Sequence, residues 1–272
     1  MTAASLKEVL KPAMEEHRAV AGLVVLGWED ARAYVEAAEE TGIPIILQAG
    51  PGCRAHTPVP IMGKMFRHLA DQASVPIVCH IDHGYSVQDC LEGIDSGFTS
   101  VMFDGSKLPI SENIDITARI VETAHAAGVS VEGEVGLVGY AEGASSANTL
   151  PEEAARYNNE SGATALAISV GNVHLKTEKT SGINFGALKA IEEVTTLPLV
   201  LHGGSGIPVN IRKRLARESS VSKFNIGTEL RMAFGNALRT SSTDNQYCLD
   251  RIRFLSQTIH AIKCVKIEVI RA

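Results

Sequence analysis

Three histidines stand at the ends of short apolar runs, in His80-Ile-Asp82-His83-Gly84, Gly171-Asn-Val-His174 and Leu201-His202-Gly203-Gly204-Ser205-Gly206. Neutral imidazole is a strong ligand for zinc-like divalent ions. Three imidazoles with a fourth position left open describe a catalytic metal site rather than a closed structural one. His83, His174 and His202 are the expected ligands. His80 lies three residues before His83, so on a regular strand the two face opposite ways; His83 sits at the rim, and His80 is expected to point away in a supporting role. The remaining histidines, His17, His56, His68, His125 and His260, fall on predicted helices or loops and read as surface or packing residues. Asp82, beside the expected ligand, is placed to carry a proton.

Two glycine-bearing turns accompany the histidines. His202-Gly-Gly-Ser-Gly206 runs into a segment opened by Pro208, and Asn225-Ile226-Gly227-Thr228 repeats the arrangement after the next apolar run. Such turns let backbone N–H groups approach an anion, and a helix that starts there adds favourable polarity. The pair predicts a phosphate site.

These residues need a scaffold whose strand ends converge on one mouth. Eight short, nearly continuous apolar runs provide it: Val20–Leu26, Ile43–Gln48, Pro76–Asp82, Thr99–Asp104, Ser130–Val135, Ala165–Val170, Leu197–His202 and Lys223–Ile226. Continuous apolarity marks parallel strands buried on both faces. Amphipathic runs alternate with them. Ser111–Ala127 carries a stripe of Ile114, Ala118, Val121 and Ala124 with Ser111 placed to cap it, and Asn184–Val194 carries Leu188, Ile191 and Val194 behind Asn184. Glu29–Glu40, Ile61–Gln72, Val87–Ser96 and Pro151–Asn159 complete the set, and Ser5–Glu16 reads as an added helix plugging the barrel bottom. The pattern predicts an α/β chain in which residues 1–272 form one (β/α)8 (TIM) barrel, with an open doubly wound sheet as the alternative. The polar segment Gly136–Leu150 follows the fifth strand and would hang over the C-terminal face, where barrel enzymes place lids.

Composition narrows the partners. A net charge of -6 without a long basic run argues against nucleic acid or an anionic membrane. No apolar run approaches the ~20 residues that span a bilayer, and the N-terminus shows no signal-peptide pattern. The cysteines Cys53, Cys79, Cys90, Cys248 and Cys264 fit no metal or redox spacing and read as reduced thiols of a cytoplasmic protein.

The chain resembles the metal-dependent, class II fructose- and tagatose-bisphosphate aldolases over most of its length. The likeness is carried by His80-Ile-Asp-His83-Gly, Val101-Met-Phe-Asp104-Gly-Ser, Val131-Glu-Gly-Glu134-Val-Gly, the His174 turn, Leu199-Val-Leu-His-Gly-Gly-Ser205 and Lys223-Phe-Asn-Ile-Gly-Thr228. The resemblance implies a lyase of carbohydrate metabolism and glycolysis, with one zinc ion on His83, His174 and His202 and a monovalent cation. It implies Asp82 as the proton carrier on the aldehyde-derived oxygen, and Glu142 of the lid as the acid or base on the ketone-derived carbon. Glycerone phosphate would sit on Gly203, Gly204, Ser205, Asn225, Ile226, Gly227 and Thr228, with Asp104 and Glu134 near the metal as an alternative position or support. Homodimers or homotetramers are implied. Fructose 1,6-bisphosphate is the implied sugar phosphate, with tagatose 1,6-bisphosphate or a deoxy-keto-sugar-acid phosphate as substitutes.

Three departures concern the far half of the substrate. The family's Ala-Phe-Asn on the first strand reads Gly22-Leu23-Val24, and the glycine after the sixth-strand histidine is Leu175. The closing residues Lys266–Ala272 carry no Gly-Ser tail. The family's distal-phosphate arginine, supplied by a partner subunit, aligns loosely with Arg251 or Arg253. Three other readings compete. A Schiff-base aldolase would use Lys176, which lies in a polar loop rather than on a strand. A metal hydrolase would normally carry a His-x-His pair on the first strand, which has no histidine. A sugar-phosphate-binding protein without catalysis has no reason to keep Asp82 and all three histidines.

Overall fold

The computed structural model describes residues 2–141, 146–179, 182–241, 259, 260 and 263. A two-residue strand β1 (Ala3–Ala4) precedes eight parallel strands: β2 (Val20–Val24), β3 (Ile45–Ala49), β4 (Ile77–Gly84), β5 (Ser100–Phe103), β6 (Ser130–Val135), β7 (Ala165–Ile168), β8 (Leu199–Leu201) and β9 (Val221–Ile226). Each of the eight pairs with the next, and β9 returns to β2 with Val20 opposite Lys223 and Leu23 opposite Ile226. The sheet is therefore a closed barrel, not the open alternative. β1 lies beside the start of β4, below His80, where β5 joins.

The helices are α1 (Leu6–Glu15), α2 (Trp28–Thr41), α3 (Pro51–His56), α4 (Val59–Gln72), α5 (Val87–Asp95), α6 (Ile110–Ala126), α7 (Pro151–Glu160), α8 (Phe185–Glu192), α9 (Val209–Glu218) and α10 (Thr228–Ser241). Between barrel and helices runs a continuous apolar layer that includes Leu47, Phe66, Val101, Leu166 and Leu199. A second, separate core fills the barrel itself. Leu6, Val9, Leu10 and Ala13 of α1 meet Val20, Ile46, Val78, Met102, Ala165, Ala167 and Val200 there. Helix α1 is thus the plug that the sequence suggested, started by a Ser5–Glu8 capping box. Each fully buried Leu or Val of the plug contributes roughly 1.5–3 kcal/mol relative to an exposed one.

Two local expectations fail. Helix α6 begins at Ile110 behind Pro109, so Ser111 lies inside the helix rather than capping it; proline's fixed φ starts the turn two residues earlier. Asn184 does cap α8, accepting from Ala187 N at 3.0 Å. The second failure is in β4. Its pairing with β5 shifts between Ile81 and Gly84, and His83 adopts φ 52. Val78 faces the inner core, and regular alternation then carries His80 and Asp82 inward with it. The irregularity at His83 turns that residue inward as well. His80 therefore does not point away; it lies inside the barrel, one layer below the mouth. A left-handed conformation costs a non-glycine residue roughly 1–2 kcal/mol, which the surrounding contacts of His83 must offset.

Candidate metal and active site

The irregularity in β4 and the turns after β7 and β8 bring His83, His174 and His202 together. Ligand-capable nitrogens of the three lie within 4.8 Å of one another, with ring centroids 4.6 Å apart for His83–His202, 5.3 Å for His83–His174 and 5.5 Å for His174–His202. Two of the rings are already oriented by carboxylates. His83 Nδ1 is 2.8 Å from Asp104 Oδ2, and His202 Nε2 is 3.3 Å from Glu132 Oε1. Their other nitrogens, His83 Nε2 and His202 Nδ1, are buried and have no protein partner. A carboxylate on one ring nitrogen fixes the tautomer that presents the other to a cation. Glu134 Oε2 is also buried without a partner, 3.7 Å from His83 Nδ1 and 3.6 Å from His202 Nδ1. His83, Asp104 and Glu134 form a second group with ligand atoms within 4.8 Å. Buried polar atoms rarely go unpaired, and these orphans converge on one point. The donor set fits a divalent cation.

The electrostatics point the same way. Burial disfavours a charged imidazole, yet Asp82, Asp104 and Glu134 outweigh it at His83 and raise its pKa to about 9. Burial, reinforced by His83, pushes His174 down to about 4 and His202 well below the usual histidine range. Glu134 is pushed up to about 8, first by burial and then by Asp104 and Glu132. At Asp82 burial works upward, but His83, His202, Lys223 and His174 together leave the carboxyl below its ordinary value. A group of carboxylates that makes one of three neighbouring imidazoles cationic is a group that attracts positive charge.

Asp82 is buried and accepts from Asn225 Nδ2 at 3.1 Å through Oδ1. Arg54 of α3 braces this corner, donating to the carbonyls of Asp82 at 2.6 Å and His83 at 2.9 Å. Across the mouth, Asn172 Nδ2 donates to His202 O at 3.2 Å and pins the turn that carries His174. In the segment after β6, His174 N donates to Gly139 O at 2.8 Å and Ala141 N to His174 O at 3.0 Å. Tyr140 stacks on the His174 ring, with centroids 4.9 Å apart. Glu142 lies outside the described residues, as do Arg251 and Arg253.

A cavity of about 190 Å³ opens over His83 and His174 beside Asp82. Gly203, Ser205, Asn225, Gly227 and Thr228 line it, while Ile226 packs behind against Gly204. Gly203 has φ 67, and a Cβ there would stand 2.1 Å from Val173 O, so only glycine permits this turn. Ser205 Oγ accepts from Gly227 N at 3.2 Å and Glu229 N at 3.3 Å, tying the two predicted phosphate turns together at the start of α10. Leu175 sits in the left-handed region, φ 57, a conformation that favours glycine, and keeps its side chain half-exposed.

Sequence reasoning missed the pair beneath the three histidines. Lys223 and Glu132 are fully buried and 2.7 Å apart, with Lys223 Nζ 3.4 Å from His80 Nε2 and His80 Nδ1 2.8 Å from Ser100 Oγ. Period-two alternation was the available signal: Glu132 shares a face with Glu134, and Lys223 with Asn225. Arg54 and Asn172 carry no such mark.

Comparison with known proteins identifies the family. Residues 4–272 match the family described as Fructose-bisphosphate aldolase class-II. A 6-phospho-5-dehydro-2-deoxy-D-gluconate aldolase of Shouchella clausii is 38% identical over 246 residues, covering 88% of this chain and 83% of that one. A fructose-bisphosphate aldolase of Geobacillus stearothermophilus is 35% identical over 280 residues, covering 100% and 96%. The crystal structure of the YdjI aldolase from Escherichia coli K12 superimposes with a TM-score of 0.87 at 29% identity, over 99% of this chain and 96% of that one. With its parallel barrel and its three convergent histidines, the chain belongs to the class II fructose-bisphosphate aldolase family.

Proposed function

We propose that the protein catalyses the reversible aldol cleavage of a ketose 1-phosphate or 1,6-bisphosphate to glycerone phosphate and an aldehyde, with fructose 1,6-bisphosphate as the first substrate to test and glyceraldehyde 3-phosphate as its aldehyde. The observation that carries this reading is the convergence, in one mouth, of unpartnered His83 Nε2 and His202 Nδ1 with the Asp82 carboxylate. His83, His174 and His202 would hold the ion, and three imidazoles favour zinc over the oxygen-seeking magnesium and calcium. A bound divalent ion supplies Lewis-acid stabilisation of the negative charge that appears on the ketone fragment when the carbon–carbon bond breaks.

The chain's own residues do the rest. Asp82, ionised and aimed by Asn225, accepts the proton of the hydroxyl that becomes the aldehyde and returns it in the synthetic direction. The turns at Gly203–Ser205 and Asn225–Thr228 hold the phosphate of the ketone fragment at the start of α10, where N–H groups and the helix polarity favour an anion. Glu142 remains the proposed proton carrier on the ketone-derived carbon. Homodimeric or homotetrameric assembly and a cytoplasmic location go with this reading; among the described residues no helix is long and apolar enough to cross a membrane.

One observation favours a second substrate. Val24 lines the cavity where the family's asparagine would offer an amide, and an apolar wall suits an aldehyde poor in hydroxyl groups. 6-Phospho-5-dehydro-2-deoxy-D-gluconate, named for the Shouchella clausii relative, would yield such a fragment. The test is release of glycerone phosphate from a panel of ketose phosphates, with and without chelator. Chelator-insensitive turnover that borohydride traps would instead indicate a Schiff base at Lys176.

A further inference from the structure

A metal ligand works best when its ring is already held at the angle the cation requires, and the three histidines are not held alike. Asp104 braces the His83 ring, and Glu132 braces the fully buried His202 ring. His174 is only half-buried, and among the described residues no carboxylate comes within salt-bridge distance of its ring. An imidazole without such a partner is free to turn about its own side-chain bonds, and that freedom is lost again on binding an ion.

The group that covers this ring is a phenol. Tyr140 lies in the segment after β6 and stacks on His174, with centroids 4.9 Å apart and planes 25° from parallel. The backbone sets the two in register. His174 N donates to Gly139 O at 2.8 Å and Ala141 N to His174 O at 3.0 Å, so Tyr140 and His174 face each other across a single parallel bridge. Tyr85 braces Tyr140 in turn. It follows β4, its N donates to Asp89 Oδ2 at 2.8 Å beside the capping box of α5, and its side chain hydrogen-bonds that of Tyr140. Both tyrosines remain exposed, so neither ring serves the hydrophobic core.

We propose that Tyr140 is a positioning residue for His174: its ring holds the third imidazole in the orientation that a divalent cation needs, and so ties the segment after β6 to the loaded site. The effect grows with loading. An imidazole that coordinates a cation carries part of its positive charge, and the electron-rich face of a phenol attracts such charge within about 6 Å. The coupling is reciprocal: what the stacked segment adds to metal affinity, the metal adds to the hold on that segment. The inference rests on the metal site of the aldolase reading and is independent of which sugar phosphate is cleaved.

The test compares the zinc affinity of wild type, Tyr140→Phe and Tyr140→Leu by competition with a chromogenic chelator, together with urea unfolding of the three metal-free proteins. Tyr140→Leu should bind zinc about 3–10-fold more weakly, the scale of an aromatic pair. Tyr140→Phe keeps the stacked face and should stay within about twofold of wild type. The unfolding midpoints should agree, because an exposed ring adds little to the fold. Hydrogen exchange gives an independent readout: zinc should slow the amides of His174 and Ala141 in wild type and Tyr140→Phe, and do so less in Tyr140→Leu. Equal zinc affinity in Tyr140→Leu and wild type would overturn the inference while leaving the aldolase reading intact. So would an equal loss in Tyr140→Phe, which would assign the effect to the hydroxyl and Tyr85. A fall in midpoint that accounts for the whole loss of affinity would make Tyr140 a packing residue and overturn the inference as well. Wild type that binds no zinc would remove the metal site itself, and this inference with it.

Discussion

Removing the buried lysine beneath the histidines should unsettle the metal site from below. Lys223 Nζ and Glu132 Oε2 are 2.7 Å apart with both side chains fully buried. The second oxygen of Glu132 is 3.3 Å from His202 Nε2. Lys223→Met fills a similar volume but leaves Glu132 facing only the His202 and His80 rings, the latter at 3.7 Å. Breaking one side of a buried ion pair costs about 3–5 kcal/mol, because the surviving charge has lost both water and partner. The two imidazoles compensate in part, so the lower end, about 3 kcal/mol, is expected here. Glu132→Gln strands Lys223 in turn and should cost about 2–3 kcal/mol, since the amide oxygen can still accept from the ammonium.

The double variant separates the ion pair from the support of His202. With both charges gone, its loss of stability should be smaller than the sum of the single losses by about 2 kcal/mol or more. Urea denaturation of the metal-free protein measures this as midpoint shifts at constant slope. Metal affinity should behave differently. Glu132→Gln and the double variant both lack the carboxylate that fixes the His202 tautomer, and both should bind zinc about 10–100-fold more weakly. Additive stability losses, with zinc affinity unchanged in either variant, would refute the network.

Zinc affinity itself should rise with pH. His83 keeps its proton up to about 9 in the metal-free protein, so ligation below that pH must displace one proton, and affinity should gain about tenfold per pH unit; a flat profile between pH 6.5 and 8.5 would count against His83 as a ligand. By the same sign, the stability that a raised His83 gives the metal-free fold is complete below its unfolded pKa of about 6.5 and disappears as pH rises through about 9. His174, depressed to about 4, works oppositely and costs stability as pH falls below about 6.5. Asp82→Asn should retain zinc by elemental analysis while losing about 10²–10⁴-fold in kcat, and loss of the metal as well would show that Asp82 is structural. Gly203→Ala should cost at least about 2 kcal/mol in thermal unfolding, because φ 67 and the Val173 carbonyl leave no room for a methyl group.

What could be read from the sequence was periodic or local. The eight strands appeared because they are buried on both faces and so rich in apolar residues, with the polar exceptions gathered at the site, and the plug appeared as an added helix, Ser5–Glu16, ahead of the first strand. The strand-end histidines stood out because little else in an apolar barrel justifies them. What could not be read was either short or cooperative. Helix α3 hid because Pro51-Gly52 reads as a turn, although Pro51 is its first residue and its Arg54 braces Asp82. The turn at His83 hid because no residue type announces it: a histidine in the left-handed region is held there by Arg54 on its carbonyl and Asp104 on its ring. That turn decides the site. Without it His83 would face the helices and Asp82 alone would face the mouth; with it, the ligand and the proton carrier are consecutive residues on the same side of one strand. Adjacency then couples their electrostatics. Asp82 is the largest single influence raising the His83 pKa, and His83 the largest lowering that of Asp82. A cation at His83 would take over the role of the His83 proton, keeping Asp82 ionised and ready to accept the substrate's hydroxyl proton while holding its pKa, and with it its intrinsic strength as a base, below the ordinary carboxylate range.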